Sequence, residues 1–294
     1  MEKSKPAITL FITLAVIAAM LASVGLIFKY LTDARAKAQD KSALLEANLI
    51  YTDAQRVLKK VLGKKPSIGT LKNIYKVPLS LQTKKGGFTL LIACAPSHAA
   101  IPITWFKNSS SKDQQRYNLA NYILNDIALK YHFKDGAKLS QMLSDILNNA
   151  QSYDFGRFSR LKRAKNYLSY AQFLKILRQY SLLEDDKNVF KVEWTNYFSF
   201  GNGYDAIDGE FLSAKLISII FNIDEQIVNE DFKSGELESF LVRNGADTTL
   251  YKSPLFAKGG VVAMRCSTNY RFGGRNYSVN FEYDQGKVNG FEFQ

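Results

Sequence analysis

Few residues of this chain stand in patterns that do chemistry. The only histidines are His98 and His132, and neither lies at ligand or triad spacing from Cys, Asp or Ser partners. No P-loop is present. Gly201-Asn202-Gly203-Tyr204-Asp205-Ala206 fits G-x-G-x-x-A, with Asp224 about 20 residues further on. As a dinucleotide site, that turn would hold a pyrophosphate at a helix N-terminus and Asp224 would take a ribose hydroxyl. The segment before it is polar at Glu193, Thr195 and Asn196, unlike a parallel core strand, and no second βαβ unit follows. A plain turn, with glycines free to adopt positive φ, explains it better. Asp205, Asp208 and Glu210 cluster where a helix is expected to begin, a position that acidic residues favour without any ligand.

Arg157, Arg160, Lys162, Arg163 and Lys165 are interleaved with Phe155, Phe158 and Tyr167. Such a pattern suits phosphate gripping and base stacking, as in DNA contact, and equally a solvated basic loop on a subunit interface. Cys94 and Cys266 are the only cysteines, far apart and without metal-ligand spacing. They read as one disulfide in an oxidising compartment or as two buried thiols. With 46% apolar residues the 294-residue chain can bury one or two cores and is not disordered, and a formal charge of +12 favours acidic partners.

These groups are positioned by a recognisable order of elements. Val77, Leu79 and Leu81 alternate with polar residues, and Lys84–Gly87 reads as a turn. Phe88–Ala95 and Ala99–Phe106 read as two further strands. Helical periodicity then dominates: Tyr117 to Ile127, Leu139 to Leu147, and Ser169 to Leu182 with Ser169 as N-cap. An aromatic strand is expected over Val189–Phe200, then helices over Phe211–Phe221 and from Ser234 to about Gly245. Val261–Phe293 reads as a three-stranded meander. One sheet, interrupted by a helical block, accounts for this order.

All of this follows a run, Ala7–Phe28, that contains no charge. As a helix it is roughly 33 Å long, which matches a bilayer core of about 30 Å. No helix breaker follows the run until Gly63, and Leu44, Ala47, Tyr51, Ala54, Leu58 and Val61 continue it as an amphipathic helix. A cleaved signal peptide or a plain single-pass anchor are alternative readings of this run. Lys29, Arg35, Lys37 and Lys41 after the run outnumber Lys3 and Lys5 before it, so charge counting alone turns the bulk of the chain to the cytoplasm.

The N-terminus resembles a type IV prepilin. Met1–Ala7 looks like the basic leader, and Ile8, Thr9, Leu10 and Phe11 stand at the first mature positions, with Ala7 where Gly is usual and Ile12 where most pilins carry Glu. An apolar residue at Ile12 is similar to minor pseudopilin K of type II secretion, whose pilin sheet carries a large inserted α-domain. In layout, Leu168–Leu183 and Ile207–Phe221 are similar to helices of that insertion.

The resemblance implies an α+β fold: a long N-terminal transmembrane helix and a pilin-like antiparallel sheet interrupted by a large helical insertion. The units would be a leader 1–7, a transmembrane helix 8–28, its soluble continuation 29–66, the first sheet part 67–110, the insertion 111–245 and the closing strands 246–294. It further implies processing between Ala7 and Ile8 by a prepilin peptidase. Assembly would be with other minor pseudopilins, at the tip of a short periplasmic filament. The remaining partners would be inner-membrane secretion machinery and exported protein cargo. The protein would be a non-enzymatic, single-pass inner-membrane protein with its bulk in the periplasm. Calcium in the insertion, at Asp205, Asp208 and Glu210, is another implication, although three carboxylates supply only part of the six to eight oxygens needed. The alternatives are a pilin-like DNA-uptake component and a single-pass enzyme using the Gly201 turn.

Overall fold

The computed structural model describes residues 5–63, 66–82, 89–107, 111–148, 167–257, 261–272, 274–284 and 287–293. Helix α1 (Lys5–Leu62) is continuous, about 87 Å long at 1.5 Å per residue. Its C-terminus is closed by Gly63 in the left-handed region at φ 58°, whose N–H reaches Lys59 O at 3.1 Å. In the first half of α1 the apolar side chains from Leu10 to Leu31 stand in the open. From Ala43 onward one face is buried, through Ala43, Ala47, Ile50, Ala54, Leu58 and Leu62 at three- and four-residue spacing.

That face is covered by a sheet. After α2 (Ile68–Lys76), the strands β1 (Leu79–Gln82) and β2 (Thr89–Pro96) form one edge. Among the described residues five strands pair antiparallel in the order β1-β2-β7-β8-β9, where β7 is Ala263–Phe272, β8 Arg275–Asp284 and β9 Lys287–Phe293. Alternate residues point inward along β7 (Met264, Cys266, Thr268, Tyr270) and β8 (Tyr277, Val279, Phe281, Tyr283). Three alanines on α1 let these large side chains approach the helix closely. The meander is bolted to α1 at its β7–β8 end: Tyr270 Oη donates to Ala43 O at 2.6 Å, and Arg275 and Tyr277 reach Asp40 Oδ1 at 3.0 and 2.9 Å.

The central pairing joins residues far apart in sequence. Cys94 lies opposite Cys266 and is bonded to it across β2 and β7, with a Cα–Cα distance of 4.0 Å and a sequence separation of 172. Between those strands the chain leaves the sheet and builds a second core of its own.

This insertion leaves the sheet at the end of the strands remote from Asp40. It holds β3 (Ile101–Pro102), α3 (Ser111–Lys130), α4 (Gly136–Asn148), β4 (Tyr167–Leu168), α5 (Tyr170–Glu184), β5 (Phe198–Ser199), β6 (Gly201–Asn202), α6 (Ala214–Phe221), α7 (Glu225–Asp231) and α8 (Leu237–Arg243). Phe106, Phe173, Tyr180, Trp194, Tyr197, Phe198 and Phe240 fill its centre. Ser169 caps α5 in a full capping box with Gln172.

Several local expectations are corrected. The segment 99–106 is not a third strand of the sheet. Only Ile101–Pro102 is extended, pairing in parallel with β5, and the next four residues form a 3₁₀ turn whose side chains enter the insertion core. The insertion accordingly extends beyond 111–245 to include Ile101–Phe106 and Leu255–Phe256. Val189–Phe200 is two 3₁₀ turns and a two-residue strand, because Trp194 folds back to donate to Val189 O at 2.8 Å. The helix expected from Ser234 begins later, with α8 starting after Glu236. Ser67 caps α2, a helix lying where strands were expected to begin. The Lys84–Gly87 turn lies outside the described residues.

Candidate functional site

Two places combine residues that could act: the bare half of α1 and the joint between sheet and insertion. On α1, Ala7 and Ile8 are already helical, and Ile12 stands 55% exposed on the apolar surface. An 18-residue window of α1 has a mean hydropathy of 2.6 and no buried residues. It is the one helix among the described residues long and apolar enough to cross a membrane. Polar hydroxyls along it are satisfied within the helix, Thr13 by Leu10 O, Ser23 by Ala19 O and Thr32 by Phe28 O, at 2.8 to 2.9 Å. Hydrocarbon demands such internal pairing.

At the joint, the carboxylates expected at a metal site act as a clasp. Asp208 is buried. Its Oδ1 accepts Glu210 N–H at 3.1 Å and its Oδ2 accepts Val261 N–H at 2.8 Å, while its own N–H donates to His98 O at 2.8 Å. One residue thus ties the outgoing strand leaving β2 to the returning strand before β7. Burial pushes the Asp208 carboxyl up to about 6, and the Glu210 charge adds to it; the two backbone N–H donors oppose the rise. Glu210 accepts Leu237 N–H at 3.1 Å and the Tyr251 hydroxyl at 2.5 Å. Asp205 points outward, 89% exposed, and pairs with Arg116 at 3.0 Å. The three carboxylates therefore do not converge, and among the described residues no group of three or more His, Cys, Asp or Glu is placed to hold a metal ion.

The insertion is also braced against α2. Tyr75 and Phe211 meet edge to face at 4.9 Å, and Gly235 at φ 84° lies so close to α2 that a Cβ there would come within 2.4 Å of Ile68 Cγ2. Only glycine satisfies both the φ and the approach.

Beside the clasp, His98 stacks on Tyr204 at 3.8 Å in a small cavity also lined by Arg265, Glu282 and Asp284. Burial lowers the His98 pKa against the opposing pull of Asp284 and Glu282. The Gly201 turn does not form a nucleotide cradle. Its strand pairs antiparallel with β4, no α-helix begins until Ala214, and Asp224 is spent capping α7 through Gln226 N–H at 2.7 Å. Gly201 has φ 111°, as a turn requires. A polar cleft of about 420 Å³ lies between α3 and α6, where Lys130 pairs with Glu225 at 3.6 Å. Arg157, Arg160, Lys162, Arg163 and Lys165 lie outside the described residues.

Sequence reasoning missed the clasp. Its signal was present in D-x-E ahead of an apolar helix, but the partners, Val261, Leu237 and Tyr251, are too distant in sequence to be matched by spacing. No protein-family model and no curated protein matches the chain.

Proposed function

We propose that the chain is a membrane-anchored, non-enzymatic minor pseudopilin that joins or caps a short filament. The single observation that carries this reading is the division of α1. One unbroken helix is bare and apolar over its first half and carries an antiparallel sheet, split by a bulky insertion, on its second. A helix that leaves lipid for a bundle of like helices exchanges one apolar surrounding for another at small cost. Ile12 offers no charge to a neighbour's amino terminus, which suits a terminal position in the filament, and the insertion is too bulky for a close-packed repeat. The Cys94–Cys266 bond fits an oxidising compartment and hence a periplasmic bulk.

The mature N-terminus tests the proposal. Mass spectrometry of the membrane fraction is expected to give a chain starting at Ile8 when prepilin peptidase is functional, and Met1 when it is not. Met1 in both would overturn it. The +12 charge favours a second reading, a DNA-uptake pilin, which requires salt-dependent duplex binding that is lost on charge reversal of Arg160 and Arg163.

A further inference from the structure

We propose that the base of the sheet and the first exposed turns of α1 form a cationic collar that binds anionic lipid head groups next to the span. The collar goes beyond the filament reading and needs only that α1 spans a bilayer. Four of its charges follow the apolar run on α1: Lys29, Arg35, Lys37 and Lys41, all exposed. The fold brings two more from the far end of the sequence. The β7–β8 hairpin is fastened to Asp40 and Ala43, so Arg275 is held against α1 and Arg271, on the water face of β7, is carried at the same end of the sheet rather than at the opposite one. Among the described residues the acidic groups of the same region are Asp33, Asp40 and Glu46, and Asp40 is already engaged by Arg275 at 3.0 Å. Six cations against three carboxylates leave a net positive patch.

Its height fits the partner. From Lys29 to Lys41 is roughly 18 Å along α1, which passes through a head-group layer of several Å and ends about a Debye length above it. The hairpin carries Arg271 and Arg275 at the upper edge of that zone, and Arg275 is held there by Asp40 before any lipid arrives. The partner is a bilayer surface rather than another polyanion, because the cations begin where the apolar run of α1 ends and follow it directly along the helix.

The test uses the full chain in neutral detergent, titrated with short-chain phosphatidylglycerol or phosphatidylcholine and read by native mass spectrometry. Each cation near an anionic surface is worth about fivefold in binding. Phosphatidylglycerol is therefore expected to be retained at least tenfold more strongly. That preference should fall about tenfold or more in a Lys37→Gln, Lys41→Gln, Arg271→Gln variant, persist in Lys37→Arg, Lys41→Arg, Arg271→Lys, and shrink in about 0.5 M salt. Equal retention of the two lipids overturns the proposal. An unchanged preference in the glutamine variant overturns the collar formed by Lys37, Lys41 and Arg271, and tighter binding to a DNA duplex than to phosphatidylglycerol overturns the choice of partner. The Cys94–Cys266 bond, checked by thiol titration, reports that each variant is folded. Because the readout is lipid, a chain that starts at Met1 can still pass, so failure of the filament reading is distinguished from failure of the collar.

Discussion

The core beneath the sheet and the core of the insertion are built from different materials. Beneath the sheet, a helix face of alanines and medium aliphatics meets regularly alternating Tyr, Phe, Val and Cys side chains from strands, and the central pair of strands is joined by a disulfide. In the insertion, short helices and 3₁₀ turns surround a cluster of aromatic rings, with Trp194 within about 6 Å of Phe133, Phe173 and Phe198. The sheet core depends on partners distant in the chain, whereas the insertion core is made mostly from one contiguous stretch. A chain-entropy penalty therefore falls mainly on the sheet, and that is where the covalent link lies.

Cutting that link should separate the two regions most clearly. Closing a 172-residue loop in the unfolded chain is worth about 5 kcal/mol in the chain-entropy model. A Cys94→Ser, Cys266→Ser variant is expected to lose several kcal/mol from the sheet. Both tryptophans, Trp105 and Trp194, belong to the insertion, so their fluorescence reports that core alone. Amide exchange in β7 and β8 should accelerate while the tryptophan unfolding midpoint moves little. A matched shift in both would mean that the two cores unfold as one unit.

The same contrast explains what was legible in the sequence. The meander was readable because Met264, Cys266, Thr268 and Tyr270 alternate strictly with Arg265, Ser267, Asn269 and Arg271, and a sheet with one face on a helix and one in water must alternate in that way. The long helix was readable because nothing in it could stop it. The order of the elements also indicated that the two ends share a sheet. In the insertion, Val189–Phe200 looked like a strand because its apolar residues are dense, yet the burial of Val189, Val192, Trp194, Tyr197 and Phe198 follows neither a period of two nor one of 3.6. Irregular segments are shaped by the core that they enter, and no local pattern announces them. The clasp was hidden for a related reason: Asp208 and Glu210 have the composition of a helix start, and only tertiary partners 27 to 53 residues away reveal their role.

The clasp is where the two regions can be coupled or uncoupled by pH. Asp208 has a folded-state pKa raised from 3.8 to about 6. A raised carboxyl binds its proton more tightly in the folded state, so its contribution to stability is full below about pH 4 and is lost as pH rises through 6. A rise of that size is worth about 3 kcal/mol. Denaturant unfolding at a series of pH values should show the joint weakening between pH 4 and 6, a slope opposite to ordinary acid unfolding. Asp208→Asn, which cannot ionise, should remove that slope while losing one of the two backbone contacts. If the slope survives the substitution, Asp208 is not its source.

The smallest effect belongs to the insertion alone. Ser169 accepts Gln172 N–H at 3.2 Å, and the Gln172 side chain returns to Ser169 N–H at 2.9 Å, so both partners of the box at the start of α5 are satisfied. Ser169→Ala removes one acceptor at a helix N-terminus, which is worth about 1 kcal/mol. Since α5 presents Phe173, Ile176, Leu177 and Tyr180 to the aromatic cluster, the tryptophan midpoint should fall by that amount. The cap lies within the insertion, so amide exchange in the sheet should stay unchanged. Loss of protection in β7 or β8 from so local a change would show that the insertion supports the sheet energetically through Asp208 and the α2 brace, and that the two cores are less separate than their materials imply.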